Sequence, residues 1–283
     1  MTTNHGSAGS EPGSPVRLLR RDAVAEIVLS RPERRNALDA ATGAALLDAV
    51  EEVRHSDQIR AVVLRGAGEA FCAGGDVKAM AAGVRAGRGE PLLREISRAV
   101  HNAIVAIVRL PKPVIACVHG PAHGAGFSLA LACDLVVAAQ DATFCQAFVR
   151  IGATPDSGSS FFLPRLVGRQ IAAELILLGD VVDAAEAHRL GLVNRVVPRD
   201  ELHDHVLALA ERLTHGPAAA YAGVKRLLGA AAVGGLEQHL EEERRCLGEM
   251  AATDDFREGV EAFVARRPAR FGAGGPAPKD STV

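Results

Sequence analysis

The 283-residue chain has no tryptophan, one tyrosine and three methionines. Single-stranded nucleic acid is held by stacking bases on aromatic faces, and this chain has almost nothing to build such a platform from. It also lacks an excess of either charge: 32 Lys and Arg stand against 34 Asp and Glu, for a net charge of -2. A basic face for duplex nucleic acid or an anionic membrane surface is therefore not expected. Cysteine pairs are missing too. Cys72, Cys117, Cys133, Cys145 and Cys246 are odd in number, form no C-x-x-C and sit among apolar neighbours. They read as reduced core thiols of a cytoplasmic protein, not a disulfide framework. No Cys/His set has the spacing of metal ligands, so no metal is expected. No apolar run is long enough to span a bilayer. The opening stretch MTTNHGSAGSEPGSP lacks the apolar segment of a signal peptide. Residues 1–15 and 272–283 are expected to be disordered tails.

What is present is an ordinary globular balance, with hydrophobic residues at 48% and charged residues at 23%. From about residue 16 short β runs alternate with helical periodicity. Ala23–Leu29, Ala61–Leu64, Pro113–Val118 and Leu135–Ala139 read as strands, and Ala41–Val53, Pro91–Val108 and Gly126–Ala132 as helices. The repetition predicts an α/β core over 16–205. After Asp156 the chain turns mainly helical. Pro164 should end or interrupt the first segment. Ile171–Leu178 should stop at Gly179, and Asp183 with Glu186 has capping-box spacing closed by Gly191. Leu192–Val197 reads as a short strand. Asp200 should cap a helix carrying Leu202, Val206, Leu209 and Leu213, and Leu236, Leu240, Leu247 and Met250 mark another apolar stripe. Residues 206–271 form a helical appendage that needs something to pack against.

Three constellations could carry chemistry. Phe71-Cys72-Ala73-Gly74-Gly75-Asp76 follows a strand; its glycines permit a tight bend and close approach, and Asp76 can cap the next helix. Taken alone, a plain strand-to-helix turn explains it better. His119-Gly120-Pro121-Ala122-His123-Gly124-Ala125-Gly126 also follows a strand and opens an apolar helix, whose N-terminal N–H groups suit an oxyanion. It is neither a P-loop nor a convincing dinucleotide fingerprint. In Ile151-Gly152-Ala153-Thr154-Pro155-Asp156-Ser157-Gly158, Asp156 is on local grounds an N-cap. Its functional alternative is a base whose pKa is raised by desolvation among Phe148, Val149, Phe161 and Phe162. No G-x-S-x-G elbow exists, so a hydrolase triad has no support.

In this order and spacing the three constellations resemble the enoyl-CoA hydratase/isomerase (crotonase) superfamily, from about Val16 to Phe271. Arg31-Pro32-Glu33-Arg34-Arg35-Asn36-Ala37-Leu38, Leu110-Pro111-Lys112-Pro113-Val114-Ile115 and Asp255–Phe263 add to the likeness. The resemblance implies a spiral of ββα repeats with a helical C-terminal region, assembled as a homotrimer or homohexamer. It implies an acyl-CoA substrate, with no cofactor beyond the coenzyme A of the substrate itself. Gly75 and Ala125 would donate their N–H groups to the thioester oxygen. The CoA would meet Arg34, Arg35, Ala37, Ala73, Gly74, Asp76, Val77 and Gly124. Phe263 and Arg266 match positions that reach the CoA of a neighbouring subunit.

The departures from the family set the subtype. Hydratases carry two glutamates where this chain has Ser128 and Phe148, and neither is a base at neutral pH. Asp156 and its surroundings, through Leu163-Pro164-Arg165, are most similar to the 1,2-epoxyphenylacetyl-CoA isomerase group. That likeness implies proton removal and return by Asp156. A second resemblance is to 4-chlorobenzoyl-CoA dehalogenase, whose upstream histidine activates water. His101 falls near that position, where a helix-surface histidine is the plainer reading. A crotonase-fold protein that binds acyl-CoA without catalysis is a third possibility. The acyl pocket is expected to depend on an Ala/Gly-rich loop at 77–98.

Overall fold

In the computed structural model, which describes residues 13–231 and 234–272, the chain builds two sheet layers clasped by helices. In chain order the elements are β1 (Val16–Arg21), β2 (Val24–Leu29), α1 (Ala40–Arg54), β3 (Ala61–Gly66), α2 (Val77–Arg85), α3 (Gly89–Val108), β4 (Val114–Val118), β5 (Pro121–His123), α4 (Ala125–Leu131), β6 (Leu135–Ala139) and β7 (Thr143–Cys145). They continue as α5 (Ser159–Leu178), β8 (Val181–Asp183), α6 (Ala184–Arg189), β9 (Arg195–Val197), α7 (Leu202–Thr214), α8 (Ala218–Ala231), α9 (Leu236–Ala251) and α10 (Asp254–Val264). The expected tails fall largely outside the described residues. Among the described residues no helix is long and apolar enough to cross a membrane.

The main sheet runs β1-β2-β3-β4-β6-β9, antiparallel between β1 and β2 and parallel from there on. Parallel neighbours require crossovers, and the helices supply them. β3, β4 and β6 read as nearly unbroken apolar runs because both faces are covered. One face sends Val62, Leu64, Ala116, Val118, Val136 and Ala138 into the large core with α1, α3 and α4. The other sends Ala61, Val63, Ile115, Cys117, Val137 and Ala139 against Leu202, Val206 and Ala210 of α7. Burying such a valine or leucine stabilises the fold by about 1.5–3 kcal/mol.

The second layer is thinner. The bridges Leu38–Gly75 and Cys72–Ala122 lead into the small sheet β5-β7-β8. Each turn of chain thus passes through a main-sheet strand, a short second-layer segment and a helix, which is the ββα spiral the resemblance implies. Both glycine-rich turns are second-layer segments, so the spiral stacks them side by side.

Several local expectations change. Pro164 sits inside α5, and the interruption comes at Gly168 (φ 74°, ψ 164°). Proline forfeits one helical hydrogen bond, whereas glycine alone tolerates that left-handed extended conformation. Gly179 does end the helix, in the left-handed conformation. Asp200 does not cap α7. Glu201 and Leu202 donate instead to the carbonyls of Pro198 and Arg199, so a backbone turn already serves those N–H groups. Residues 77–85 are a helix, not a loop, because the Asp76 carboxylate caps it. In the C-terminal helices, Leu236, Leu240 and Leu247 stay 68%, 51% and 64% exposed, so the predicted stripe finds no cover among the described residues.

Candidate active site

The first turn is fixed from one side. Leu38 N–H donates to Gly74 O (2.7 Å) and Asp76 N–H donates to Leu38 O (2.9 Å). Strand groups alternate in direction, so the Gly75 N–H between them points away from Leu38, toward the second turn. Ala73 N–H donates to Arg35 O (2.9 Å), and Arg35 and Asn36 both hold φ above +20° to present that carbonyl. The buried Asn36 amide locks the bend by donating to the carbonyls of Ala67 and Ala70. Asp76 is buried and fully employed. Its Oδ1 accepts from Ala79 N–H (3.0 Å) and its Oδ2 lies 3.1 Å from Arg31, with Arg34 at 3.7 Å. Burial alone would raise its carboxyl, but the Ala79 N–H and the two guanidiniums outweigh it and hold the pKa below its ordinary value. Asp76 is therefore a strut of the turn.

The second turn lies against the first. Cys72 N–H donates to Pro121 O and His123 N–H to Cys72 O. The contact leaves no room for side chains: a methyl group on Gly126 would lie 2.1 Å from Cys72 O, and one on Gly74 (φ 100°) 2.8 Å from His123 O. Gly124 takes φ 52° as the residue before α4 and donates to Cys145 O (2.8 Å). The Ala125 N–H is the first of that helix, which leaves it without an intrahelical acceptor and at the positive end of the dipole. Among the described residues neither Gly75 N–H nor Ala125 N–H has a protein acceptor. Two unpaired donors thus stand on adjoining segments.

The third constellation joins this pair through Ser128. This side chain is completely buried, with Oγ 3.3 Å from Gly124 O and 3.4 Å from Asp156 O. Phe148 packs against the core, its ring edge near Gly124. The Asp156 carboxylate is engaged on both oxygens: Ser97 Oγ donates to Oδ2 at 2.9 Å, and His101 Nε2 lies 2.6 Å from Oδ1. Here the sequence reading is overturned. Burial does push the Asp156 carboxyl up, but hydrogen bonds from Ser157 N–H, Ser97 and His101 prevail and the pKa falls below its ordinary value. Val149 packs near Gly179.

Ser97 is absent from the sequence reading, and His101 enters it only through the dehalogenase resemblance. They stand four residues apart on α3, one helical turn, and so share a face. That spacing was the available signal. His101 is half-exposed, yet it is no idle surface residue. It borders a cavity of about 410 Å³ between α3 and the start of α5, with Ile104, Val105, Phe161 and Phe162 in its walls. Arg34 is also half-exposed, Ala37 is buried with its carbonyl taken by Arg31, and Val77 is 50% exposed on α2. Phe263 (86% exposed) lines a groove with Pro217, Met250 and Phe256. No turn residue borders that groove, and Arg266 follows α10 at φ 52°. A single chain therefore does not bring Phe263 and Arg266 into the site.

Comparison with known proteins follows the same outline. The sequence profile of the enoyl-CoA hydratase/isomerase family matches residues 20–274. The chain is 42% identical over 250 residues to a protein of Rhodobacter capsulatus described as a probable enoyl-CoA hydratase, covering 88% of this chain and 95% of that one. It is 36% identical over 248 residues to the 1,2-epoxyphenylacetyl-CoA isomerase of Escherichia coli, covering 88% and 94%. Among solved structures, an enoyl-CoA hydratase from Polaromonas superposes with a TM-score of 0.87 at 36% identity, covering 91% of this chain and 99% of the other.

Proposed function

The chain belongs to the enoyl-CoA hydratase/isomerase family, and from that premise we propose that it isomerises an enoyl-CoA by proton transfer through a thioester enolate. The observation that carries the reading is the proton-handling equipment. Position 128 is a sealed serine and position 148 a core-packed phenylalanine, while Asp156, whose main chain meets Ser128, pairs its carboxylate with His101. Removing a proton next to the thioester carbonyl places negative charge on its oxygen. Gly75 and Ala125 N–H stabilise that charge without reorganising, and one such donor is typically worth about 3–4 kcal/mol. The same pair then returns the proton to another carbon. The double bond shifts, or a ring epoxide opens to an oxepin, with no net gain or loss of atoms. In this reading Arg34, Arg35, Ala37, Ala73, Gly74 and Gly124 would meet the CoA moiety.

A 3-enoyl-CoA incubated with the enzyme should yield its conjugated 2-enoyl isomer, and Asp156→Asn should slow that by about 10²–10⁴-fold. Full activity in the variant would remove Asp156 from the mechanism. A second reading gains from the 2.6 Å His101–Asp156 contact. A dehalogenase-like enzyme would use the carboxylate as nucleophile toward a haloaroyl-CoA and the imidazole to activate water. Chloride released from 4-chlorobenzoyl-CoA would select it. We also propose a trimer or hexamer, since Leu228, Leu236, Leu247 and Phe263 are 64–86% exposed on the C-terminal helices. Sedimentation as a monomer would refute that.

A further inference from the structure

We propose that the base meeting the substrate is the imidazole of His101, through Nδ1, and that Asp156 is a positioning residue that orients the ring. The inference rests on the proton-transfer reading above and assigns the roles within its pair. An ionised carboxylate offers acceptors only, so at 2.6 Å the proton between Asp156 Oδ1 and His101 must come from Nε2. The neutral ring then carries its lone pair on Nδ1. Among the described residues Nδ1 has no hydrogen-bond partner. The imidazole also borders a mostly apolar groove beside Ile104, Val105, Phe161 and Phe162, which neither Asp156 nor the two glycine-rich turns line.

The carboxylate is poorly placed to be the base itself. Ser97 occupies Oδ2 at 2.9 Å, His101 occupies Oδ1, and the Ser157 N–H adds a third donor. Groups that stabilise its charge make it reluctant to accept a proton. The same charge is well placed to stabilise an imidazolium. In the step itself, the substrate C–H bond breaks and a bond from Nδ1 to hydrogen forms. The C–H electron pair moves into the enolate, whose oxygen rests on Gly75 and Ala125. Reversal at a second carbon breaks the N–H bond and restores the neutral ring. Because His101 is half-exposed, its Nδ1 proton can exchange with water while the enolate persists.

The test uses the full chain, with 3-hexenoyl-CoA for isomerisation and butyryl-CoA for α-proton exchange in deuterated water. His101→Ala removes an exposed side chain from a helix, so the fold should survive, as circular dichroism can check. It should lower both rates by about 10²–10⁴-fold, and added imidazole, small enough for the cavity, should restore at least about tenfold of the loss. Asp156→Asn should be slowed as well, but imidazole should not rescue it, because its ring is present and only misoriented. Wild-type rates in His101→Ala, or a loss that imidazole leaves unchanged, would overturn the proposal and return the base to Asp156. If the wild-type chain exchanges the α-proton without isomerising 3-hexenoyl-CoA, the isomerase reading falls and the exchange data still decide the role of His101. A wild-type chain that does neither removes both.

Discussion

Glu26 and Asp156 each hold a histidine Nε2 within hydrogen-bond distance, 2.9 Å to His203 and 2.6 Å to His101. The local geometry is nearly the same and the surroundings are opposite. Glu26 lies on β2, completely buried under α7, with Arg65 at 2.6 Å and Arg21 at 2.5 Å. Burial raises its carboxyl, but the contacts with Arg65, His203 and Arg21 more than reverse this and hold its pKa at about 2. Asp156 is about one-third exposed, is held by Ser97, the Ser157 N–H and His101, and its charge faces a histidine that borders a cavity. A carboxylate–histidine pair is thus a clamp where arginines seal it and a candidate catalytic pair where an imidazole face is left open.

Substitution should separate the two pairs cleanly. Asp156→Asn is expected to lower turnover by about 10²–10⁴-fold, equivalent to about 3–5 kcal/mol of barrier, while the melting temperature changes by no more than about 2 °C. Glu26→Ala should do the reverse. It removes the carboxylate that holds Arg65 of β3 and His203 of α7 together and should cost about 3 kcal/mol of stability, while the folded fraction keeps its turnover. Denaturant titration alongside kinetics reads both. Equal losses of activity in the two variants would erase the distinction.

Acid should sharpen the same contrast. A carboxyl at about 2 in the folded state, against an ordinary value of 4.5, contributes stability that is complete above about pH 4.5 and lost as pH falls toward 2. The difference amounts to roughly 3 kcal/mol. Asp156 shifts in the same direction, but its exposure makes its share smaller. Wild type should therefore weaken steeply between pH 4.5 and 2, and Glu26→Ala should flatten that slope far more than Asp156→Asn.

These pairs also mark where the sequence was readable. The turns were legible because their chemistry is local: glycines at strand ends, and an Asp that caps the very next helix. Gly179 was legible for the same reason. The His101–Asp156 contact was not, because it joins residues 55 apart. It depends on how α3 is rotated, which the burial of Ile96, Val100, Ala103, Ile104 and Ile107 on its other face decides. The pKa of Asp156 was misjudged for a related reason. The nearby phenylalanines are visible in sequence, while two of the three donors that outweigh them arrive from α3. Glu26 shows the converse, a charged residue within an apolar strand that would be expected at the surface. β7 and β8, three residues each, and the alanine-rich α8 carry too little periodicity to announce themselves.

A milder perturbation tests the donors on the open pair. Ser97→Ala removes the hydroxyl 2.9 Å from Asp156 Oδ2. A hydrogen bond to a partly exposed carboxylate should be worth about 1 kcal/mol, so turnover should fall by about fivefold. The Asp156 titration followed by NMR should move upward, toward an ordinary carboxylate, because one of the groups holding it down is gone. An unmoved titration would mean that Ser97 only fills space.

The smallest effect belongs to Arg21, and it isolates what makes the closed pair closed. Arg21 and Arg65 approach Glu26 almost equally, at 2.5 Å and 2.6 Å, yet their side chains are 55% and 21% exposed. Distance alone would make them equivalent. Water screens the Arg21 contact and lets that side chain move, so Arg21→Ala should cost less than about 1 kcal/mol. Arg65→Ala leaves the buried charge of Glu26 undercompensated on its inner side and should cost about 3 kcal/mol. A denaturation series on the two variants therefore weighs burial against proximity at one carboxylate. If the losses are equal, proximity suffices, and the openness of the Asp156 pair cannot be what distinguishes it. If they differ as expected, the exposure of the charged partner sets the strength of the clamp. On the same physics, a histidine left facing a cavity remains free to exchange its proton.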